Sequence, residues 1–293
     1  MKKPHAQVYG WAHLVALLCA FWVWLAPLSV HANTPVATAT EVAGFSETRV
    51  GDATVQVVPL TEFLPGSRVR LTQDALVTVL FYATGGVYRL SGPALMRFTD
   101  SEIQALRGKD PKRLPAATGR DGKRLLVRQS ELMQAGVVAR GISKPITAVS
   151  PAGERTLDPR PIFSWQPVES GLSYQFVLRD QVDRVIVRAD MQTTSYELPP
   201  SVTLSPETRY RWSVSTKSSD GTLHVFKRSL RTADDALRAE VDNFRPQQDA
   251  SVTQRIAFAL WLAQAGLADE ARAYWKKLAE QGVEVPAALL TAP

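Results

Sequence analysis

Four stretches decide how this chain folds: PIFSWQP (161–167), GLSYQFVLRD (171–180), LSPETRYRWSVSTKSSDG (204–221) and HVFKRSLRT (224–232). Apolar residues recur at every second position in Tyr174, Phe176 and Leu178, and again in Tyr210, Trp212 and Val214. That period sends one face of a strand into a core and the other into water. Turn residues separate the runs at Gln166-Pro167, Glu169-Ser170-Gly171, Pro199-Pro200 and Asp220-Gly221. Several short alternating strands at this spacing predict an all-β sandwich over 145–232.

The same residues resemble a fibronectin type III domain. Trp165 falls where that family keeps an early-strand tryptophan, and Leu204-Ser-Pro-Glu-Thr-Arg-Tyr210 is similar to its leucine-to-tyrosine corner. The resemblance covers roughly 90 residues, the size of one sandwich domain. It implies that the strand with Tyr174, Phe176 and Leu178, the strand with Tyr210, Trp212 and Val214, and the strand with Phe226 and Leu230 share one sheet. A sandwich is a scaffold with many uses, so the fold leaves the function open.

Working outward, residues 1–32 read as a secretory signal peptide. Lys2 and Lys3 supply the positive end, Leu14 to Leu25 an apolar stretch, and Val30-His31-Ala32 the small residues of a cleavage site. The apolar core falls short of the ~20 residues of a spanning helix. The alternative is an uncleaved anchor facing the periplasm, since apolar residues continue on both sides. Leu18 before Cys19 is not the small residue a lipid-attachment site wants.

Cleavage after Ala32 removes Lys2 and Lys3 from the 34 Lys and Arg, leaving 32 against 28 Asp and Glu, a net charge of about +4. That balance is weakly basic and does not suggest nucleic acid. The one cysteine and three of the four histidines leave with the signal, so the mature chain keeps only His224. Cysteine nucleophiles, disulfides and a two-histidine zinc site within one chain are excluded. A Ser-His-Asp triad has to use His224, which reads as an exposed residue entering an edge strand after the Ser218-Ser219-Asp220-Gly221 turn. Carboxylate pairs of the glycosidase kind stay possible, although nothing marks a particular pair. We expect no catalytic residues, no metal and no organic cofactor.

Residues 33–44, rich in Thr, Ala, Val and Pro, predict a flexible leader. Residues 45–108 predict a small β domain. Val77, Val79 and Phe81 alternate with Leu76, Thr78, Leu80 and Tyr82, so this strand is apolar on both faces and central. Gly85-Gly86 signals a two-residue hairpin, and Ser101 to Arg107 a short helix capped by Asp100 or Ser101. With Val50-Gly-Asp52, Pro65-Gly-Ser67 and Tyr88-Arg-Leu-Ser-Gly92, the segment is similar to the periplasmic domain of the FecR family. Family members that regulate sigma factors carry a cytoplasmic domain ahead of a membrane span. With fewer than about 15 residues ahead of the apolar core, we expect no such domain and no sigma-regulating role.

Residues 109–144 read as a basic linker in which Leu125-Leu-Val127 and Val137–Gly141 add extra strands. Over 233–293 the pattern becomes helical, with expected helices at Ala233–Phe244, Ser251–Ala265 and Ala268–Gln281. Asp269 and Glu270 at the start of the last helix, and Lys276 and Lys277 near its end, suit the helix dipole; Gly282 suits the position beyond it. Ala-Gly-Leu-Ala-Asp-Glu-Ala271 resembles the middle of a tetratricopeptide repeat. Such repeats need about three units to stand alone. A single hairpin therefore packs on the β part, pairs with another chain or caps a partner.

The fold class expected is thus mainly β: two β modules followed by an α-helical hairpin. On the outer face of the sandwich, Arg179, Arg209, Arg211, Lys227 and Arg231 are expected to gather on one sheet with no acid between them, and Arg184 and Arg188 to extend the group. Gln175, Val177, Ser213 and Ser215 beside them offer no aromatic platform for sugars or single strands. The expected function is a non-catalytic periplasmic adaptor whose partner is an envelope protein or an anionic envelope polymer, without nucleic acid. Membrane enters only if the N-terminal segment is retained, and the oligomeric state is open. The alternatives are a structural envelope component and a carboxylate-based enzyme acting on glycans.

Overall fold

A computed structural model describes residues 34–50, 53–127 and 146–291 of the chain. The signal peptide and the Val137–Gly141 strand lie outside the described residues. Ten strands build the first β module: β1 (Ala37–Ala43), β2 (Ser46–Val50), β3 (Ala53–Gln56), β4 (Glu62–Phe63), β5 (Arg68–Leu71), β6 (Leu76–Phe81), β7 (Val87–Ser91), β8 (Ala94–Phe98), β9 (Ile103–Arg107) and β10 (Lys112–Leu114). They form two sheets, ordered β10-β7-β6-β1-β4 and β3-β2-β5-β8-β9.

The two apolar faces of β6 explain its central place. Val77, Val79 and Phe81 join Val69, Met96 and Phe98 in the core between the sheets. Leu80 and the adjoining Tyr82 lie instead in a second core, against the helices. The rings of Phe63 and Phe98 stack at 4.3 Å.

Three expectations are corrected in this module. Residues 33–44 are not a free leader, because Ala37–Ala43 lie between β6 and β4 as a central strand, with Ala37, Thr38, Ala39 and Thr40 buried. Small residues looked aperiodic in sequence, yet their size lets β1 fit between two packed layers. The helix expected from Ser101 is β9, an edge strand pairing Ile103 with Phe98 and Ala105 with Met96. The Thr99 hydroxyl accepts from the Glu102 N–H at 3.0 Å and closes the turn, and a helix this short has little stability to set against sheet pairing. Gly85-Gly86 return the chain through a longer loop: Leu80 pairs with Val87, and the Phe81 N–H donates to the Gly86 carbonyl at 2.8 Å. Gly85, at φ 60°, lies where a Cβ would stand 2.7 Å from the Leu125 carbonyl oxygen.

The 109–144 stretch is partly folded into this module. Lys112–Leu114 pair with β7, Thr118 and Arg124 form a bridge, and Ala117, Leu125 and Val127 are buried.

Eight strands follow: β11 (Thr147–Ser150), β12 (Arg155–Thr156), β13 (Phe163–Gln166), β14 (Tyr174–Arg179), β15 (Val185–Met191), β16 (Ser195–Tyr196), β17 (Arg209–Lys217) and β18 (Leu223–Thr232). A three-stranded sheet, β11-β13-β16, faces a five-stranded one, β12-β18-β17-β14-β15. This is a fibronectin type III-like sandwich, and the chain as a whole is mainly β. Tyr174, Phe176, Leu178, Tyr210, Trp212 and Val214 point inward as the alternation demands. Trp212 lies 5.2 Å from Phe163 and 5.1 Å from Phe226, ring to ring. The Tyr210 hydroxyl accepts from the Ser205 N–H at 2.8 Å and locks the corner.

Helices α1 (Asp235–Phe244), α2 (Val252–Gln264), α3 (Ala268–Glu280) and α4 (Ala287–Leu290) end the chain. Asp234 caps α1 and Ser251 caps α2. Ala233 lies ahead of α1, with its N–H donating to the Thr156 carbonyl at 2.9 Å. Leu237, Val241, Ile256, Leu260, Ala271, Trp275 and Leu278 form one core with Leu80, Tyr82, Val87, Leu125 and Val127. The helices therefore pack on the outer face of the first sheet. Buried Thr40 and Thr253 hydroxyls meet there at 2.8 Å. Thr253 donates to Glu41 at 2.8 Å, and the Thr40 hydroxyl donates to the Thr78 carbonyl at 3.2 Å. Trp275 is buried and Trp261 half-buried against Phe244 and Phe258.

Candidate functional site

Alternation along β14, β17 and β18 places Arg179, Arg209, Arg211, Lys227 and Arg231 on the outer face of the five-stranded sheet. The register brings Arg179 opposite Arg211, Arg209 opposite Arg231, and Lys227 opposite Ser213. Arg188 pairs with Val177 and carries the charge toward the edge strand. Arg179, Arg211, Lys227 and Ser229 line an open groove of ≈ 400 Å³.

One part of the expected pattern is corrected. The β14–β15 turn folds over the face and sets Asp183 among the cations, 2.8 Å from Arg211 Nη2 and 3.8 Å from Arg179 Nε. Arg179 also donates to the Asp183 carbonyl. Arg184 is drawn off to Asp180 at 3.1 Å in the same turn. Two of the five expected cations thus have a partner. Arg209, Lys227 and Arg231 make no ion pair among the described residues.

Sequence reasoning missed Arg155. It sits on β12, only two residues long, which pairs in parallel with β18 and sets Arg155 beside Arg231. A two-residue parallel pairing leaves no alternation to find.

His224 does take part in a Ser-His-Asp cluster, but in the wrong order for nucleophilic catalysis. Its Nε2 lies 3.2 Å from Ser218 Oγ, while that hydroxyl donates to Asp220 Oδ1 at 2.5 Å. In a triad the imidazole stands between hydroxyl and carboxylate to take the hydroxyl proton. Here the serine stands in the middle. The Ser218 hydroxyl and the Thr222 N–H pull the Asp220 carboxyl down to about 2, as fits a turn carboxylate.

At the seam between sandwich and helices, Asp269 accepts from the Ala152 N–H and Glu270 from the Leu157 N–H, each at 2.8 Å. Glu270 Oε2 is sealed from solvent and has no hydrogen-bond partner among the described residues. Burial raises its pKa, and the neighbouring Asp269 and Asp158 carboxylates add to the rise. Arg228 points inward and donates to the Pro151 and Ala152 carbonyls at 3.1 and 2.7 Å. A larger cleft of ≈ 680 Å³ opens between the first β module and the helices. Glu41 and Asp249 face Arg89, Arg120 and Arg245 in it, so neither sign of charge dominates.

No protein-family model matches the chain, and no curated protein matches it. Solved structures similar to it include the FN1–FN3 domains of chicken CNTN1, at 13% identity over 67% of this chain and 57% of that one, with a TM-score of 0.21. A two fibronectin type III domain segment from chicken tenascin is 15% identical over 68% of this chain and 94% of its own length, with a TM-score of 0.22. The extracellular domain of a hybrid two component system from B. thetaiotaomicron is 11% identical over 58% of this chain and 31% of its own, with a TM-score of 0.24. The chain therefore spans 57% of the first structure and 31% of the third. At TM-scores this low the likenesses carry no argument, and strand order and register alone carry the sandwich assignment.

Proposed function

We propose that this protein is a non-catalytic adaptor of the bacterial periplasm, exported through a cleaved N-terminal signal peptide. It grips an acidic protein partner with the outer face of its sandwich. The observation that carries the reading is the set of cations on that face, Arg209, Lys227 and Arg231, with no carboxylate in ion-pair contact among the described residues. Such a surface steers an acidic partner, with an attraction that salt screens over ~8–10 Å. Serines, Gln175 and Val177 between the cations give sugar rings nothing to stack on, which favours protein over glycan. In the same reading the first module is of the FecR type, and α2 and α3 are one tetratricopeptide-like unit serving as a brace.

The test is charge reversal, Arg209→Glu with Arg211→Glu, in the chain expressed in its native envelope. Partner recovery should fall for the variant at low salt, and for the parent as salt rises. Unchanged recovery of every partner at low salt overturns the proposal.

A further inference from the structure

We infer that this face is anchored by a row of three arginines, Arg155, Arg231 and Arg209, which holds the carboxylates of an extended acidic polypeptide segment. The inference rests on the adaptor reading and names both its anchor and its ligand chemistry.

The row follows from register. Arg155 pairs with Arg231 across β12 and β18, and Arg231 with Arg209 across β18 and β17. Their strand neighbours Thr156, Thr232, Leu230 and Tyr210 are buried, so alternation turns all three arginines to the outer face. Adjacent strands lie ~4.8 Å apart, which spreads three guanidinium groups along roughly 10 Å. Like charges directly opposite one another weaken a sheet. Among the described residues, no hydrogen bond or ion pair occupies any of the three guanidinium groups. Glu154 and Glu207 lie in the flanking turns and form no ion pair with them among the described residues. A bound anion relieves this repulsion, and the planar fork of arginine suits carboxylates best held two bonds at a time.

The rest of the face selects the kind of anion. Leu223 and Val225, 68% and 51% exposed, lie on the same side of β18 as Arg231. Val225 is six residues from Arg231, or about 20 Å along the strand. An extended peptide with acidic residues at one end and apolar residues at the other spans that distance in about six residues. The row is also tied to the helices: the Arg155 N–H donates to the Gly266 carbonyl at 3.1 Å, and the Arg231 N–H to the Glu154 carbonyl at 2.8 Å. Its first member is thereby fixed in place by the turn between α2 and α3.

A labelled oligoglutamate peptide is titrated against the mature chain at low salt, with polygalacturonate as a second probe. Arg155→Gln and Arg231→Gln should each weaken oligoglutamate binding by about fivefold or more, with melting temperature unchanged. Arg155→Lys, which keeps the charge and loses the fork, should fall between them and the parent. Arg155→Lys also serves in place of Arg155→Gln if the latter does not fold. Failure of the parent to bind oligoglutamate, or tighter binding of polygalacturonate, overturns the ligand assignment. Full binding by Arg155→Gln overturns the row. If Lys227→Gln weakens binding while Arg155→Gln does not, the row fails and the adaptor reading stands. If neither variant affects binding, both fail.

Discussion

Replacing Gly153 with alanine sets one methyl group against the seam between sandwich and helices. A Cβ at Gly153 would stand 2.3 Å from the Gly266 carbonyl oxygen and 2.9 Å from the Ala268 nitrogen. Both are backbone atoms of the α2–α3 turn, so no side chain can swing aside. Two responses bracket the cost. If the seam holds, the overpacking strain is about 1–3 kcal/mol. If the 152–155 segment withdraws, it loses the Arg155 N–H bond to Gly266 and the Ala152 N–H bond to the Asp269 carboxylate. These contribute about 1 and about 1.5–3 kcal/mol respectively. Either way the loss is about 1–4 kcal/mol, or roughly 2–16 °C in melting temperature for a chain of this size. Thermal and urea unfolding of the mature chain measure it, and amide exchange at Ala152, Arg155 and Leu157 shows which response occurs. A melting temperature within about 1 °C of the parent, with unchanged exchange at those amides, would refute the close docking of sandwich and helices.

Trp212→Ala, at a side chain only 1% exposed, should cost about 3–5 kcal/mol and collapse the near-ultraviolet circular dichroism of the sandwich; a nearly unchanged urea midpoint would contradict it. Tyr210→Phe keeps the ring and strands the Ser205 N–H, so unfolding should come about 1–3 kcal/mol sooner. Glu270→Gln reads the raised carboxyl. A folded pKa above the ordinary 4.5 means that ionisation costs stability, in full above the folded pKa and not at all below 4.5. Glutamine keeps the acceptor for the Leu157 N–H, so the variant should be the more stable at pH 7 and lose that advantage as pH falls toward 4.5. A constant difference across that range would sink the assignment.

The sandwich was legible because its determinants are local. Alternation in 174–178 and 210–214, a corner closed within six residues and turns rich in Gly and Pro all lie close together in sequence. The two-faced character of 76–82 was equally visible, and the helices that cover its second face showed their own period. What failed was non-local. β1 pairs with β6, some forty residues away, and its Thr-Ala-Thr composition carries no hydrophobic signal. In β9, residues that also suit a helix are recruited by an edge pairing. The five cations of the candidate site could be placed by alternation alone. Asp183 reached them through a turn with φ 69°, and Arg155 through a parallel pairing with β18. Neither geometry leaves a periodic trace.

The central position of β1 also orders events during synthesis. Residues 37–43 emerge ahead of the rest of their module, but their neighbours in the sheet are β4 and β6, so the first sheet cannot close around them until residue 81 has been made. Even then the side of β6 bearing Leu80 is bare, because Ile256, Leu260 and Trp275 arrive about 170 residues or more later. A chain made from its N-terminus therefore carries a half-covered first module through most of its synthesis, and an exposed sheet face invites aggregation. Truncation before α2 would leave that face uncovered for good. The helices, made after both β modules, thus complete the first of them.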